Sequence, residues 1–271
     1  DFSSGLYYTV TMNTLLDNAL TAAKAAGDEI MKHYGTSDFE SKSDTSPVTI
    51  ADTRANEVLI AHLSQTSIPI LSEESVGIPI PYPNKLWVID PLDGTKDFLN
   101  YTKNFSVMIG LLEHGRPTLG VVYAPLYNAY YYAVKGEGTH MVKDGVATKL
   151  TITSDPTKKL RFICSVNNFK PYMDVVTEKL SAEKTPHGSI GIKAGVLCEN
   201  KGDFIFSHGK FGEWDVCAPE IIVEEAGGIV TDCEGNPLTY GTTDHRLERG
   251  VIFSSSDNHA RILEAVHSTP F

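Results

Sequence analysis

Residues 90–97 read DPLDGTKD, which sets the carboxylates Asp90, Asp93 and Asp97 around a proline and a glycine at the end of the apolar run WVI. Pro91 fixes one φ angle and Gly94 permits a tight turn, so the three-residue offset can bring Asp90 and Asp93 to one side of the bend. Two carboxylates held close repel each other unless a cation sits between them. A hard divalent ion such as Mg²⁺ matches carboxylate, carbonyl and water oxygens, and no His or Cys stands nearby in the sequence to suggest zinc. The Leu92 carbonyl, between the two aspartates, is a further candidate donor. Taken alone, a DxxDG string is equally compatible with a solvated acidic turn, and Asp97 is expected to face solvent or to pair with a lysine.

Two other acidic segments bear on the choice. In SEES (72–75), Glu73 and Glu74 end a short apolar strand, PILSEE, that could lie beside the strand Trp87–Ile89; the alternative is an exposed acidic turn. In EWDVCAPEIIVEEAGG (213–228), Asp215 is read as opening a helix, with Pro219 in its first turn and Gly227 and Gly228 at its end. An aspartate there also suits a plain N-cap.

The elements that must position these groups follow from periodicity. Leu16, Ala19, Leu20, Ala23, Ala26, Ile30 and Met31 recur at helical spacing between Asn13 and Tyr34, and Gly35 is a stop signal. The loop TSDFESKSDTSP precedes a second helical pattern, Ala51–Leu63. NFSVMIGLLE, TLGVVYAP and AYYYAVKG read as strands joined by short turns, hence antiparallel. From Leu160 strands alternate with helices: RFICSV, a helix near Tyr172–Leu180, a helix near Gly191–Asn200, DFIFS, Trp214–Ala226, GIVTD, GVIFSS and a last helix Asp257–Val266. An α+β half thus precedes an α/β half, with a boundary expected near residue 155, giving domains 12–155 and 156–271. Residues 1–11 precede Met12, where the helical pattern begins; whether they are native is left open and they stand outside the fold argument.

Composition narrows the function classes. With 271 residues, 41% hydrophobic and 21% charged, the chain can bury well-formed cores. A formal net charge of -11 opposes nucleic acid or an anionic membrane as the main partner, so an anionic substrate needs local positive charge. No apolar run has the length of a membrane span, and Cys164, Cys198, Cys217 and Cys233 show no CxxC spacing. Free buried thiols in a soluble, cytoplasmic protein are the expectation, as a monomer or weakly associating homodimer.

SEES, WVIDPLDGTKDF and WDVCAPEIIVEEAGG, in that order, resemble the signature segments of the magnesium-dependent, lithium-sensitive phosphatases related to inositol monophosphatase. Within that family KSDTSPVTIAD (42–52), the lysine of DGTKDF, the WDVCAPE form and GSIGIK (188–193) look most like the 3'(2'),5'-bisphosphate nucleotidases. The resemblance implies a layered α-β-α-β-α sandwich of the inositol monophosphatase and fructose bisphosphatase type, with an N-terminal antiparallel sheet and a C-terminal mixed sheet. It implies that Glu73, Asp90 and the Leu92 carbonyl hold one Mg²⁺, that Asp90, Asp93 and Asp215 hold a second, and that a third, weaker ion lies near Glu73. It also implies that Thr95 positions the attacking water, that Asp52 orients Thr95 and accepts a proton, and that Glu74 supports the ligands from behind. Without the likeness, Asp52 reads as a helix N-cap.

By the same resemblance the backbone N–H groups of Gly94 and Thr95 face the phosphate, and Ser189, Lys193 and Asn168 stand at substrate-contact positions. Two departures are visible: SVNN (165–168) replaces SRSH, putting Asn168 at the usual histidine, and Ser207 replaces an arginine of some microbial members. His208 or Lys210 could supply that charge. The implied activity is Mg²⁺-dependent removal of the 3'-phosphate from adenosine 3',5'-bisphosphate, with 3'-phosphoadenylyl sulfate as a further substrate. The alternatives are the same chemistry on an inositol mono- or 1,4-bisphosphate, and a silent nucleotide or metal sensor.

Overall fold

A computed structural model of the chain describes residues 2–35, 50–75, 77, 78, 80–155 and 157–270. The first helical pattern forms the body of α1 (Phe2–His33), which extends upstream of Met12. The loop TSDFESKSDTSP and residues 42–49 of KSDTSPVTIAD lie outside the described residues. The first half continues with α2 (Ile50–Leu63), β1 (Ile70–Ser72), β2 (Lys85–Asp93), the short α3 (Thr95–Leu99), β3 (Ser106–Glu113), β4 (Arg116–Ala124), β5 (Ala129–Val134), β6 (Gly138–Lys143) and β7 (Val146–Leu150). The second half holds β8 (Arg161–Ser165), α4 (Pro171–Lys179), β9 (Glu183–His187), α5 (Ile190–Cys198), β10 (Phe204–Ser207), β11 (Phe211–Gly212), α6 (Glu213–Glu225), β12 (Gly228–Thr231), β13 (Arg246–Leu247), β14 (Val251–Ser255) and α7 (Ser256–His267).

Seven strands, β1 to β7 in sequence order, make the first sheet. It is antiparallel except at one edge, where β1 runs parallel to β2 with Ile70, Leu71 and Ser72 opposite Trp87, Val88 and Ile89. The second sheet, in the order β12-β14-β10-β8-β9, is mixed: β14 is antiparallel to both neighbours, while β8 is parallel to β10 and β9.

Alternation along the strands generates the layers. Trp87 and Ile89 on β2, with Val107, Ile109 and Leu111 on β3, turn toward Ala23, Ala26, Leu59 and Leu63 of α1 and α2. Their neighbours Leu86, Val88 and Met108 turn the other way, against Ile192 and Leu197 of α5 and Val216, Ile221 and Ile222 of α6. The second sheet repeats the division. Ile163 and Ile205 face that same helical layer, while Phe162, Phe204 and Phe206 face Met173 and Val176 of α4 and Ile262 and Val266 of α7. The result is the five-layer α-β-α-β-α sandwich, with strands buried on both faces in its centre. Each fully buried aliphatic or aromatic side chain contributes about 1.5–3 kcal/mol.

Three elements differ from the sequence-based expectations. The β6–β7 hairpin is largely polar and exposed on β7, so it carries no strong apolar period; its turn, Asp144-Gly145 with both φ angles positive, is nevertheless a legible hairpin signal. Strand β9 contains Pro186 and lies at a sheet edge, where a missing N–H is tolerated. Helix α6 begins at Glu213, not Asp215, which puts Pro219 in the helix interior and leaves the Asp215 carbonyl without its i+4 donor.

Helix α6 sits close on the first sheet because Gly110 of β3 and Gly120 of β4 are cross-strand partners that present no side chain to it. A Cβ at Gly110 would collide with Cys217, and one at Gly120 would lie 2.6 Å from the Ala218 carbonyl oxygen. Substituting Gly120→Ala is therefore expected to lower the unfolding free energy by about 1–3 kcal/mol, read from urea denaturation, and an unchanged midpoint would contradict the close-packing account.

Candidate active site

The strand β2 does not stop at Asp90. It runs to Asp93, with Asp90 opposite Met108 and Asp93 opposite Ser106, so three steps on β2 span two on β3 and one extra residue bulges. Within the bulge Leu92 N donates to Asp90 Oδ1 at 3.0 Å, which fixes that carboxylate against its own backbone. Gly94 then adopts φ +92°, and a Cβ there would stand 2.6 Å from the Asn104 carbonyl oxygen, so both the conformation and the space require glycine. Thr95 starts α3 immediately after it, and its hydroxyl has two acceptors within reach, Asp52 Oδ1 at 3.3 Å and the Leu92 carbonyl at 3.2 Å. Asp52 is buried within the first turn of α2.

Glu73 and Glu74 follow β1 directly, and Glu73 N continues the ladder by donating to the Ile89 carbonyl at 3.2 Å. Ser72, buried beneath them, donates to Asn56 Oδ1 at 2.7 Å and accepts from Glu74 N at 3.2 Å. From the second half, Asp215 projects from the first turn of α6 and accepts from Gly212 N at 2.7 Å. It therefore secures the helix start from the third helical position and is not its N-cap.

The electrostatics mark Glu73, Asp90, Asp93 and Asp215 as one group. Burial, then the charges of Glu73, Asp93 and Asp215, raise the Asp90 carboxyl well above the usual range. Burial, then Glu73 and Asp93, do the same to Asp215, against the pull of the Gly212 N–H. Glu73 keeps part of its side chain open to solvent but stands in dense surroundings. Lost hydration pushes it up to about 7, a hydrogen bond with Asp90 opposes this, and Glu74, Asp52 and Asp93 add to it. Carboxylates coupled this way share protons when no cation is present.

Asp93 is the best compensated member. Burial raises it, but Ser189 Oγ donates to its Oδ2 at 2.5 Å and Gly191 N at 3.0 Å, and the Lys193 ammonium favours its charged form. Ser189 also meets Ser106 Oγ at 2.8 Å and accepts from Ile192 N at 3.1 Å, so its hydroxyl is fully occupied in holding Asp93 at the start of α5. Lys193 is buried, which lowers its pKa, while Asp93, Asp97 and Asp215 favour its charge; it is not a solvated helix lysine.

Asp97 differs from expectation. It is buried, and accepts from Thr102 Oγ1 and from Asn167 Nδ2, each at 2.7 Å, because α3 turns it inward and away from solvent. No lysine pairs with it among the described ion pairs. Asn168 is exposed on the loop after β8, its N–H donating to Ser165 Oγ at 3.1 Å.

Asp93, Gly94, Thr95, Ser189, Lys193, Asn168 and Asp215 line one cleft of about 430 Å³. Its other wall adds Lys170, Tyr172, His208 and Lys210. Lys170 and Tyr172 escaped the sequence reading as site residues, Tyr172 being placed only at the start of a helix. The signal was there in a cation and an aromatic ring flanking Pro171. Tyr172 donates to the His208 carbonyl at 2.9 Å, which joins the two sides of this wall, and Lys210 is paired with Glu248 at 2.7 Å.

Among the described residues no three Asp, Glu, His or Cys side chains form an already closed ligand set. The donor chemistry nonetheless fits hard divalent ions: carboxylates that repel one another, the Leu92 carbonyl beside them, and one buried lysine as the nearby positive charge. The four cysteines are free and buried. Because Asp90, Asp93, Asp215 and Glu73 are all raised above their unfolded values, the metal-free native state holds extra protons. It therefore loses stability as pH rises from the ordinary carboxylate range through about 7. Thermal unfolding of metal-free wild type and Asp90→Asn should show the variant gaining on wild type as pH goes from about 4.5 to 7.5, with Mg²⁺ closing the gap; a pH-independent gap would refute the coupling.

Residues 11–270 match the model of the inositol monophosphatase family. The 3'(2'),5'-bisphosphate nucleotidase CysQ of Aggregatibacter actinomycetemcomitans is 35% identical over 235 residues, covering 83% of this chain and 87% of that protein. The protein of the same name from Escherichia coli K12 is 32% identical over 247 residues, 89% of this chain and 99% of its own length. Among solved structures, CysQ from Bacteroides thetaiotaomicron superposes with a TM-score of 0.79 at 28% identity, covering 89% of this chain and 97% of that one. Thermotoga maritima IMPase gives 0.80 at 25% identity, with 94% and 97% coverage. Joined to the five-layer sandwich and to the acidic segments at the ends of β1 and β2 and the start of α6, these matches mean that the chain belongs to the inositol monophosphatase family.

Proposed function

We propose that this chain is a Mg²⁺-dependent 3'(2'),5'-bisphosphate nucleotidase that hydrolyses the 3'-phosphate of adenosine 3',5'-bisphosphate to AMP and phosphate, and that it also accepts 3'-phosphoadenylyl sulfate. The observation that carries this reading is the mutually repelling group Glu73, Asp90, Asp93 and Asp215 together with the Thr95–Asp52 hydrogen bond, of which Asp93, Thr95 and Asp215 line a cleft whose far wall carries Lys170 and Lys210. Relatives named for this activity, 30% or more identical over most of the chain, support the substrate class.

Glu73, Asp90 and the Leu92 carbonyl would hold one ion, and Asp90, Asp93 and Asp215 a second. A third, weaker ion belongs near Glu73. Bound Mg²⁺ supplies charge neutralisation on the phosphoryl oxygens and lowers the pKa of a coordinated water. The protein's own groups do the rest. Thr95 gives its one hydroxyl proton to Asp52, so its oxygen is left to accept from the attacking water and orient it. As the water oxygen bonds phosphorus and the P–O ester bond breaks, the water's proton passes to Thr95 while the Thr95 proton passes to Asp52, and the departing 3'-oxygen takes a proton from solvent to leave as the hydroxyl.

Backbone N–H groups of Gly94 and Thr95 receive the phosphoryl oxygens in the turn. Ser189 acts by fixing Asp93, a more indirect role than direct substrate contact. Lys193 brings positive charge to the floor of the cleft, and Asn168 with Lys170 and Lys210 faces the nucleotide and its second phosphate. Glu74, at the second position after β1, adds negative charge beside Glu73 and would strengthen the pull on a cation there.

Phosphate release should be measured with adenosine 3',5'-bisphosphate, 3'-phosphoadenylyl sulfate and inositol 1-phosphate, with and without Mg²⁺. The nucleotide bisphosphate is expected to be turned over best and only with Mg²⁺, and preference for the inositol ester would overturn the substrate assignment. Asp93→Asn should lower kcat by roughly 10²–10³-fold with the fold intact by circular dichroism, and retained turnover would refute its place in the site.

A further inference from the structure

Glu73 and Asp215 come from opposite halves of the chain, so their separation depends on whatever ties the segment after β1 to the start of α6. A buried hydrogen-bonded group beside the cleft makes that tie. Glu213, fully buried two residues before Asp215, accepts from Tyr82 Oη at 2.8 Å, Gly241 N at 2.9 Å, Thr242 N at 3.0 Å and Thr242 Oγ1 at 3.0 Å. The Tyr82 oxygen also lies 2.6 Å from His245 Nδ1, with the two rings stacked at 5.7 Å. One phenolic proton cannot serve both contacts. Tyr82 therefore donates to Glu213 and accepts from the Nδ1–H of His245, which selects the imidazole tautomer.

Burial first, and then the Glu213 carboxylate, hold the Tyr82 hydroxyl well above its ordinary range, so it stays a donor. His245 has two further attachments. Its carbonyl accepts from Glu213 N at 3.0 Å, and its ring fills the space beside Gly77, where an added Cβ would collide with it. The segment leaving Glu73 is thus held at Gly77 and again at Tyr82 against a single imidazole, and the backbone carbonyl of the same histidine is bonded to the helix that carries Asp215. Strand β11 pairing with β13, and the Arg246 guanidinium 5.6 Å over the Trp214 ring, fasten the same loop to the same helix start. Tyr82, Glu213 and His245 do not line the cleft.

We propose that Tyr82, Glu213 and His245 form a positioning clamp that sets the spacing of Glu73 and Asp215 and thereby the affinity of the site for divalent cations. This rests on the metal-site reading above. A satisfied buried network specifies one geometry, and ligands held off that geometry bind metal more weakly even when every ligand is present. The three groups act through the ligands and touch neither substrate nor water in the reaction.

Isothermal titration of Mg²⁺ into metal-free wild type, Tyr82→Phe and His245→Gln tests the clamp; the first removes both bonds of the Tyr82 oxygen and the second only the one to the imidazole, so a folding failure in one leaves the other informative. Both should raise the Mg²⁺ dissociation constant by about tenfold, while kcat at saturating Mg²⁺ stays within about twofold of wild type. Wild-type affinity in the variants, accompanied only by a lower thermal midpoint, would reduce the network to a structural role and overturn the clamp. If wild type itself binds no Mg²⁺, the metal-site reading falls and the clamp falls with it.

Discussion

Mutual repulsion among Glu73, Asp90, Asp93 and Asp215 is the constraint around which the rest of the molecule is arranged. Their carboxyls are raised by lost hydration and by one another, and the hydrogen bond between Glu73 and Asp90 offsets only part of it. What holds them is rigid backbone. A parallel strand pair, a bulge locked by an Asp90–Leu92 hydrogen bond, a glycine at positive φ and the first turn of a packed helix each fix one carboxylate. The destabilisation is local, and the two-faced burial of the central sheets compensates it from a distance. In the proposed function a cation would turn the same arrangement from a liability into a binding site and would let a chain of net charge -11 receive a phosphate.

The layered fold explains why the site lies where it does. Asp52, Glu73, Asp90, Asp93 and Thr95 belong to the first sheet and its flanking helices, whereas Ser189, Lys193 and Asp215 begin or line the central helical layer. The two sets meet because α5 and α6 pack directly on the first sheet, and the Gly110–Gly120 pair lets α6 approach without a side chain between. Asp93 shows the meeting most clearly: its backbone belongs to β2, yet its carboxylate is held by Ser189 and Gly191 at the start of α5.

Much of this was legible in the sequence where cause and effect are close along the chain. DPLDGTKD shows uncompensated charge around turn residues, and period-2 strands with period-3.6 helices reveal the alternation that builds the layers. The misreadings come from groups whose partners are distant. Asp97 looked solvent-facing because nothing in DGTKDF shows that Asn167, seventy residues on, will hydrogen-bond it. Helix α6 was started two residues late because Glu213 is fixed by the loop around Thr242 and His245, which no local pattern announces. Tyr82 and Glu213 are 131 residues apart, so their contact was beyond any reading by periodicity or spacing. The hairpin at Asp144-Gly145 is the opposite case, a local signal that was present and passed over.

The proposal that most needs a direct test is that these carboxylates bind divalent cations. Anomalous scattering from crystals grown with Mn²⁺ in place of Mg²⁺ tests it most directly, since it reports position independently of activity. The account predicts anomalous peaks in contact with Glu73, Asp90 and the Leu92 carbonyl oxygen, and with Asp90, Asp93 and Asp215. Ordered Mn²⁺ elsewhere on the protein, with these carboxylates carrying no peak at saturating concentration, would contradict it.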